Sequence, residues 1–342
     1  MEINMEYVLQ TLREIMQIDS PSGYTAAVME KVEQKAEALG YSFEMTHKGN
    51  GIITIPGKDL EYVVGFCAHV DTLGLMVRSI KENGALAFTK IGGPNLATVD
   101  SELCRVHTRD GQVYDGTVYC TKPASHVYKE AGKERSEENL EVRLDEDVNS
   151  KEDVQKLGVQ TGDYICIDPK FTVTPSGYIK SRFLDDKLSV AILLGVLEHF
   201  ASHHLIPSHT VKILISTYEE VGHGMAWIPR DIRELIAVDM GCIGEDLSCT
   251  EKMVSICAKD SSGPYDYAIT SRLAELAKEN ELDYAIDIYP YYGSDVSAAL
   301  SGGQDIQGAL IGPGVFASHA YERSHIKAVE NTMKLLIAYW LD

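Results

Sequence analysis

The chain has 342 residues, 44% hydrophobic and 24% charged, a length that accommodates a large core and two domains. Its net charge of -20 argues against nucleic-acid or anionic-membrane partners, which need basic surfaces. Seven scattered cysteines without a C-x-x-C pair suggest neither a disulfide framework nor a thiolate zinc site.

The start, "MEINMEYVLQ", has no basic n-region ahead of an apolar h-region. No apolar run approaches the roughly 20 residues that span a bilayer, so a cytoplasmic protein is expected. Val8, Leu12, Ile15 and Met16 recur at helical spacing, and Val28, Val32, Ala36 and Leu39 resume it after the "DSPSG" break. Strands follow at "GIITIPG" and in the apolar run that ends at His69. From Val77 to about Gly177 short apolar segments alternate with glycine and polar turns, the pattern of a small β domain. Within it "KEAGKERSEENLEVRLDEDVNS" and "KEDVQKLG" are charged enough to be expected in solvent. An α/β pattern then resumes. "KLSVAILLGVLEHFASHH" predicts a helix, "VKILISTYEE" and "LIAVDMG" predict buried strands, and "YDYAITSRLAELAKEN" a strand-to-helix unit. "QGALIGPG" reads as a further strand, and Val329, Met333, Leu336, Ile337 and Trp340 mark a closing helix. The fold class is therefore α/β, with residues 1–75 and 176–342 as the catalytic domain and 76–175 as an inserted β domain.

Three apolar runs end in titratable groups. "YVVGFCA" leads to His69 and Asp71, "VKILIST" to Glu219 and Glu220, and "LIAV" to Asp239. In an open α/β sheet the site lies beyond the carboxyl ends of the strands, so these groups are expected in one crevice. Residues i and i+2 of a strand share a face, which sets the Asp71 carboxylate beside the His69 imidazole. That is how an acid orients a ligating histidine, or merely satisfies a core one. Asp185 and Asp186 stand ahead of a helix, as ligands or as caps. His319 and His325 follow the last strand. Clustered carboxylates repel unless cations compensate them. Oxygen and imidazole donors without thiolates suit zinc, cobalt or manganese, and the inventory fits a two-metal site. The adjacent Glu219 and Glu220 offer one acid more than ligation needs, and a spare acid can take a proton from an attacking water. These parts describe metal-assisted hydrolysis.

The motifs "AHVDTLG", "LDDK", "EEVGHG", "VDMG" and "GSDVSAALSGG" occur in this order. Together they resemble the tetrahedral, glutamyl and deblocking aminopeptidases, a family of dinuclear metallopeptidases that includes the cellulase-like FrvX-type members. The resemblance spans nearly the whole chain. It implies a three-layer α/β/α zinc-peptidase-type catalytic domain carrying an inserted small β-barrel-like domain that mediates assembly. It also implies two divalent metal ions per subunit. Asp185 would bridge them, His69 and Asp239 would complete one, and Glu220 and a C-terminal histidine the other. Glu219 would be the general base, and Asp71 would orient His69. Where family members carry R-Y-x-H-S-P, this chain has "ASHAYERSH", so the last ligand is His319 or His325. His319 is favoured because it lies closer to the strand. Lys187 stands where many members have arginine. His126 and His223 are read as structural or substrate-proximal, and His203, His204 and His209 as exposed near a helix end. The expected substrates are short peptides with a free N-terminus, and the expected state is a homo-oligomer of the dodecamer kind. The rivals are a related dinuclear deacylase or carboxypeptidase, a glycoside hydrolase, and a non-catalytic assembly protein.

Overall fold

The structure, a computed structural model, describes residues 3–130 and 132–342. Two compact units divide the chain: Met1–Asp71 with Lys170–Asp342, and Thr72–Pro169.

The first unit is built on a mixed sheet. Its main strands are β1 (Phe43–Met45), β2 (Gly51–Ile55), β3 (Asp59–His69), β4 (His209–Ser216), β5 (Ile232–Val238), β6 (Val254–Lys259), β7 (Tyr284–Ile288) and β8 (Gln307–Val315). They lie in the order β1-β2-β4-β3-β5-β8-β6-β7, with β4, β3, β5 and β8 mutually parallel. These central strands are apolar along nearly their whole length because both faces are covered. Alternate residues go to opposite sides. Val64, Phe66 and Ala68 join one hydrophobic cluster, and Val63 and Cys67 join another. The larger cluster receives helices α1 (Met5–Met16), α2 (Ala26–Ala38), α3 (Leu184–Ser202), α4 (Tyr267–Glu279) and α6 (Ile326–Leu341). The smaller receives the short helix α5 (Asp295–Ser301) and the segment around Met225 and Ile228. The α/β class is as expected. "YDYAITSRLAELAKEN" differs: it holds no strand, and Asp266 caps α4 directly by accepting from the amides of Ala268 and Ile269.

Helix α3 is apolar around its whole circumference, the signature of a helix with no solvent face, and it is buried almost end to end. Lys187, in its first turn, is charged yet only 1% exposed. Its Nζ donates to the carbonyls of Ile15 at 2.9 Å and Ile18 at 2.8 Å. The ammonium thus ties the last turn of α1 to the chain just beyond it, sharing the Ile15 carbonyl with the amides of Gln17 and Ile18.

The second unit is a closed barrel of six strands, Gly74–Ile80, Leu86–Ile91, Leu140–Leu144, Val113–Cys120, Leu103–His107 and Tyr164–Ile167. Leu75, Val77, Leu86, Phe88, Val106, Val118, Leu140, Val142 and Ile165 fill it. The charged stretch from Lys129 to Ser150 is not wholly solvated: it conceals the strand Leu140–Leu144, whose Glu141 is buried against Lys81 and Arg143. "KEDVQKLG" forms a short helix, Lys151–Lys156, capped by Ser150 and anchored by buried Val154. No helix among the described residues is long and apolar enough to cross a membrane.

Replacing Lys187 by methionine keeps the volume but takes a charged donor away from two buried carbonyls. It is expected to lower stability by about 2–3 kcal/mol. Chemical denaturation checks this, and a loss below about 0.5 kcal/mol would show that the contact is not needed.

Candidate metal centre

The parallel strands deliver their carboxyl ends to one crevice. His69 closes β3, the Glu219–Glu220 turn follows β4, Asp239 follows β5, and His319 lies beyond β8. Asp185 and Asp186, joined by a cis peptide bond, lie within α3, whose backbone is non-helical at both residues.

Asp185 is the hub. Its Oδ1 is 3.1 Å from His69 Nε2, and its Oδ2 is 3.5 Å from His319 Nε2. Glu219 Oε2 lies 3.6 Å from His69 Nε2, and Glu220 Oε2 lies 3.6 Å from His319 Nε2. Two groups of donor atoms, His69 with Asp185 and Glu220, and His69 with Asp186 and Asp239, each lie within 4.8 Å of one another. The sequence-predicted set of His69, Asp185, Glu219, Glu220, Asp239 and His319 is thus brought to one place, and all but His69 line a single cavity of about 590 Å³.

The supporting contacts explain why the donors stay put. Asp71 is fully buried. Its Oδ1 accepts from Glu219 N at 3.1 Å, and its Oδ2 accepts from Glu220 N at 3.3 Å and from Ser22 Oγ at 2.5 Å. Asp71 therefore fixes the two-glutamate turn. Toward His69 its main-chain oxygen, 2.9 Å from Nδ1, is closer than its carboxylate at 3.5 Å. Asp239 N donates to Ile311 O at 2.9 Å. Here Gly312 permits the close approach, since a Cβ there would sit 1.6 Å from the Asp239 carbonyl oxygen.

From sequence alone Glu322 stands only as an acid that follows His319 at a compatible distance, with no role. It is 2% exposed, accepts from Asp185 N at 3.1 Å with Oε2, and accepts from His319 N at 3.0 Å with Oε1. One carboxylate thereby ties together the backbones of two donors far apart in sequence, and it holds His319 at a φ of +63°, a conformation that a non-glycine residue keeps only when its surroundings impose it. An acid three residues after a candidate histidine was the available signal. Asp186 Oδ2 accepts from His69 N at 3.2 Å, and Asp295 Oδ1 accepts from Met225 N at 2.9 Å.

The other histidines lie elsewhere. His325 caps α6 by accepting from Lys327 N at 3.0 Å, and its Nε2 is 2.9 Å from Ser176 O. Both ring nitrogens are engaged away from the acids. His223 stacks on Tyr218. His126, His203 and His204 are exposed, and His209 is half-buried beside Asp59.

The electrostatics ask for cations. Burial, reinforced by neighbouring acids, pushes Glu219, Glu220, Asp186 and Glu322 well above the ordinary carboxyl range, and pushes Asp239 up to about 7. Burial acts against Asp185 too, but the His69 hydrogen bond outweighs it and holds this acid low. Burial would likewise strip His69 of its proton, yet Asp185, Glu219 and Asp71 hold the proton on. Protons here compensate crowded negative charge, which is the work a divalent ion does better. The donors are oxygens and imidazoles. Cys242 lines the same cavity, but burial pushes its thiol far up, away from the thiolate form. The residues fit hard or borderline divalent cations.

Comparison with known proteins agrees. The family model described as M42 glutamyl aminopeptidase matches residues 49–335. A Bacillus subtilis (strain 168) protein named "Putative aminopeptidase YhfE" is 44% identical over 97% of this chain and 96% of its own. The crystal structure of a TET aminopeptidase from the marine sediment archaeon Thaumarchaeota archaeon SCGC AB-539-E09 superposes with a TM-score of 0.88. It is 18% identical and covers 99% of this chain and 97% of its own. The Pyrococcus horikoshii TET1 peptidase, described as assembling into a tetrahedron or a large octahedral shell, gives 0.86 at 23% identity over 98% and 99% of the two chains. At these identities the two structures speak for the fold.

Glu322→Ala should leave two backbone amides without their acceptor. Cation affinity is expected to fall about 10–100-fold, the usual effect of losing a group that orients ligands. Calorimetric titration with zinc or cobalt checks this, and unchanged affinity would show that Asp185 and His319 hold position without it.

Proposed function

The chain belongs to the M42 glutamyl aminopeptidase family, and we propose that its site takes two divalent cations and removes N-terminal residues from short peptides with a free amine. That it is an aminopeptidase, a hydrolase of peptide bonds, follows from the family. The dinuclear centre and the division of labour within it are our reading. The observation that carries it is the Asp185 carboxylate, whose two oxygens face two different imidazoles, His69 and His319.

His69 and Asp239 would complete one ion, and Glu220 and His319 the other, with Asp185 shared. Zinc or cobalt suits this set best, with manganese next. When bound, the ions would polarise the scissile carbonyl and make water a better nucleophile near neutral pH. Glu219 is the acid left over. Its backbone is fixed by Asp71 and its carboxylate faces the cavity, so it would take the proton of the attacking water and hand it to the leaving amine. Asp71 would keep Glu219 and Glu220 in register while its main chain holds the His69 ring. The carboxylates that face the cavity also suit the substrate's free ammonium group, which favours this activity over deacylation. We further assign assembly into a homo-oligomer to the barrel unit, and action in the cytoplasm on peptides released there.

Exhaustive chelation is expected to abolish hydrolysis of aminoacyl substrates, and zinc, cobalt or manganese to restore it. Full activity after verified metal loss would overturn the reading. Glu219→Gln is expected to keep its metals and lose about 10²–10⁴-fold in kcat, whereas Glu220→Gln should lose metal. His319→Ala should lose about one metal per subunit, while His325→Ala should keep both, as elemental analysis would show. An acylated substrate cleaved faster than its free-amine counterpart would favour a deacylase.

A further inference from the structure

The cavity in front of the donors carries information about the substrate side chain. Apart from the donors it is walled by Met240, Cys242, Tyr292, Ser297, Ala298 and Ser301, among others. None of the described residues lining it is lysine or arginine, and His319 is the only lining group that could carry positive charge. His319 already faces Asp185 and Glu220.

Two of the cavity's hydroxyls are also occupied. Ser294 and Ser297 form a reciprocal cap at the start of α5. Ser297 Oγ accepts from Ser294 N at 2.6 Å and donates to Ser294 O at 2.7 Å. Ser294 Oγ is 2.8 Å from Tyr265 OH. These two hydroxyls have little hydrogen bonding left to offer. Met240, Cys242, Ala298 and the Tyr292 ring add apolar surface, and the remaining hydroxyls, of Tyr291, Tyr292, Ser301 and Ser318, are neutral and supply no counter-charge.

Resting on the two-cation aminopeptidase reading, we propose that this chain selects peptides whose N-terminal side chain is uncharged and aliphatic, of leucine or methionine size, and that it discriminates against glutamate and aspartate despite the name of its family. An acidic side chain entering this cavity would lose its hydration and meet no cation of the protein. A basic side chain would find no carboxylate outside that set, which is already committed to cations and to the substrate's amine. An aliphatic side chain has neither difficulty and gains from burial against Met240, Tyr292 and Ala298.

The test is a panel of aminoacyl anilides with the cation-loaded enzyme. Leucine and methionine are expected to exceed glutamate, aspartate, lysine and arginine by about 100-fold or more in kcat/KM. A glutamate or lysine substrate within threefold of leucine would overturn the inference and leave the aminopeptidase reading intact. Failure to cleave any free-amine substrate would overturn both. A second arm supplies the missing charge. Ser301 is exposed on the last turn of α5, where a cation also suits the helix dipole. Ser301→Arg should raise the glutamate-to-leucine ratio of kcat/KM by about tenfold, one new ion pair's worth of about 1.4 kcal/mol. Competition by free leucine and free glutamate as products should move the same way, and an unchanged ratio in both measurements would count against the proposal.

Discussion

Packing many carboxylates into one dry crevice is the constraint from which the catalytic unit follows. The acids behind the donors, and Asp239 among the donors, have each been given a peptide N–H as well as a place. Asp71 takes the amides of Glu219 and Glu220, Glu322 those of Asp185 and His319, Asp186 that of His69, and Asp295 that of Met225. Asp239 accepts from the amide of the next residue, Met240, at 2.6 Å. Backbone donors compensate charge without adding a mobile cation, so a divalent ion is left as the fitting counter-charge for the oxygens that remain. The same bonds fix donors that come from strand ends far apart in sequence, which is what pre-organisation of such a centre requires.

Much of this was legible in the sequence because strands buried on both faces read as continuous apolar runs, and the polar residues that end them stand out. His69, Glu219, Glu220 and Asp239 were visible for that reason, and Asp185 through the paired aspartates before a long apolar helix. What escaped lay where one signal masked another. Leu140–Leu144 alternates correctly for a strand but sits among acids and lysines, and its Glu141, on the face opposite Leu140 and Val142, is covered by Lys81 and Arg143. Lys187 looked like a variant near the metals, whereas its stem runs the other way to the end of α1. Glu322 makes only backbone contacts at the site, and no periodicity announces an acid that binds main-chain amides. His319 and His325 are separated in role by three-dimensional partners, since both follow the same strand.

The relation between family and chain is one of shared scaffold and variable wall. Donors are presented by strand ends that the core dictates, whereas the cavity beyond them is lined by α5 and by the segments after β5 and β7. Such segments exchange side chains without disturbing the sheet. A family description that names one amino acid therefore transfers more safely for the bond cleaved than for the residue removed.

Closure of the six-stranded barrel has a consequence for how copies of this chain could associate. A sheet with free outer strands can recruit a neighbour by main-chain pairing, and a closed one cannot. In the barrel unit every strand already has a partner on both sides. Contact made through it would then fall mainly to side chains and connecting segments, where single substitutions can strengthen, weaken or redirect it. If copies associated in this way, their mutual geometry could drift while the strands beneath it stayed the same.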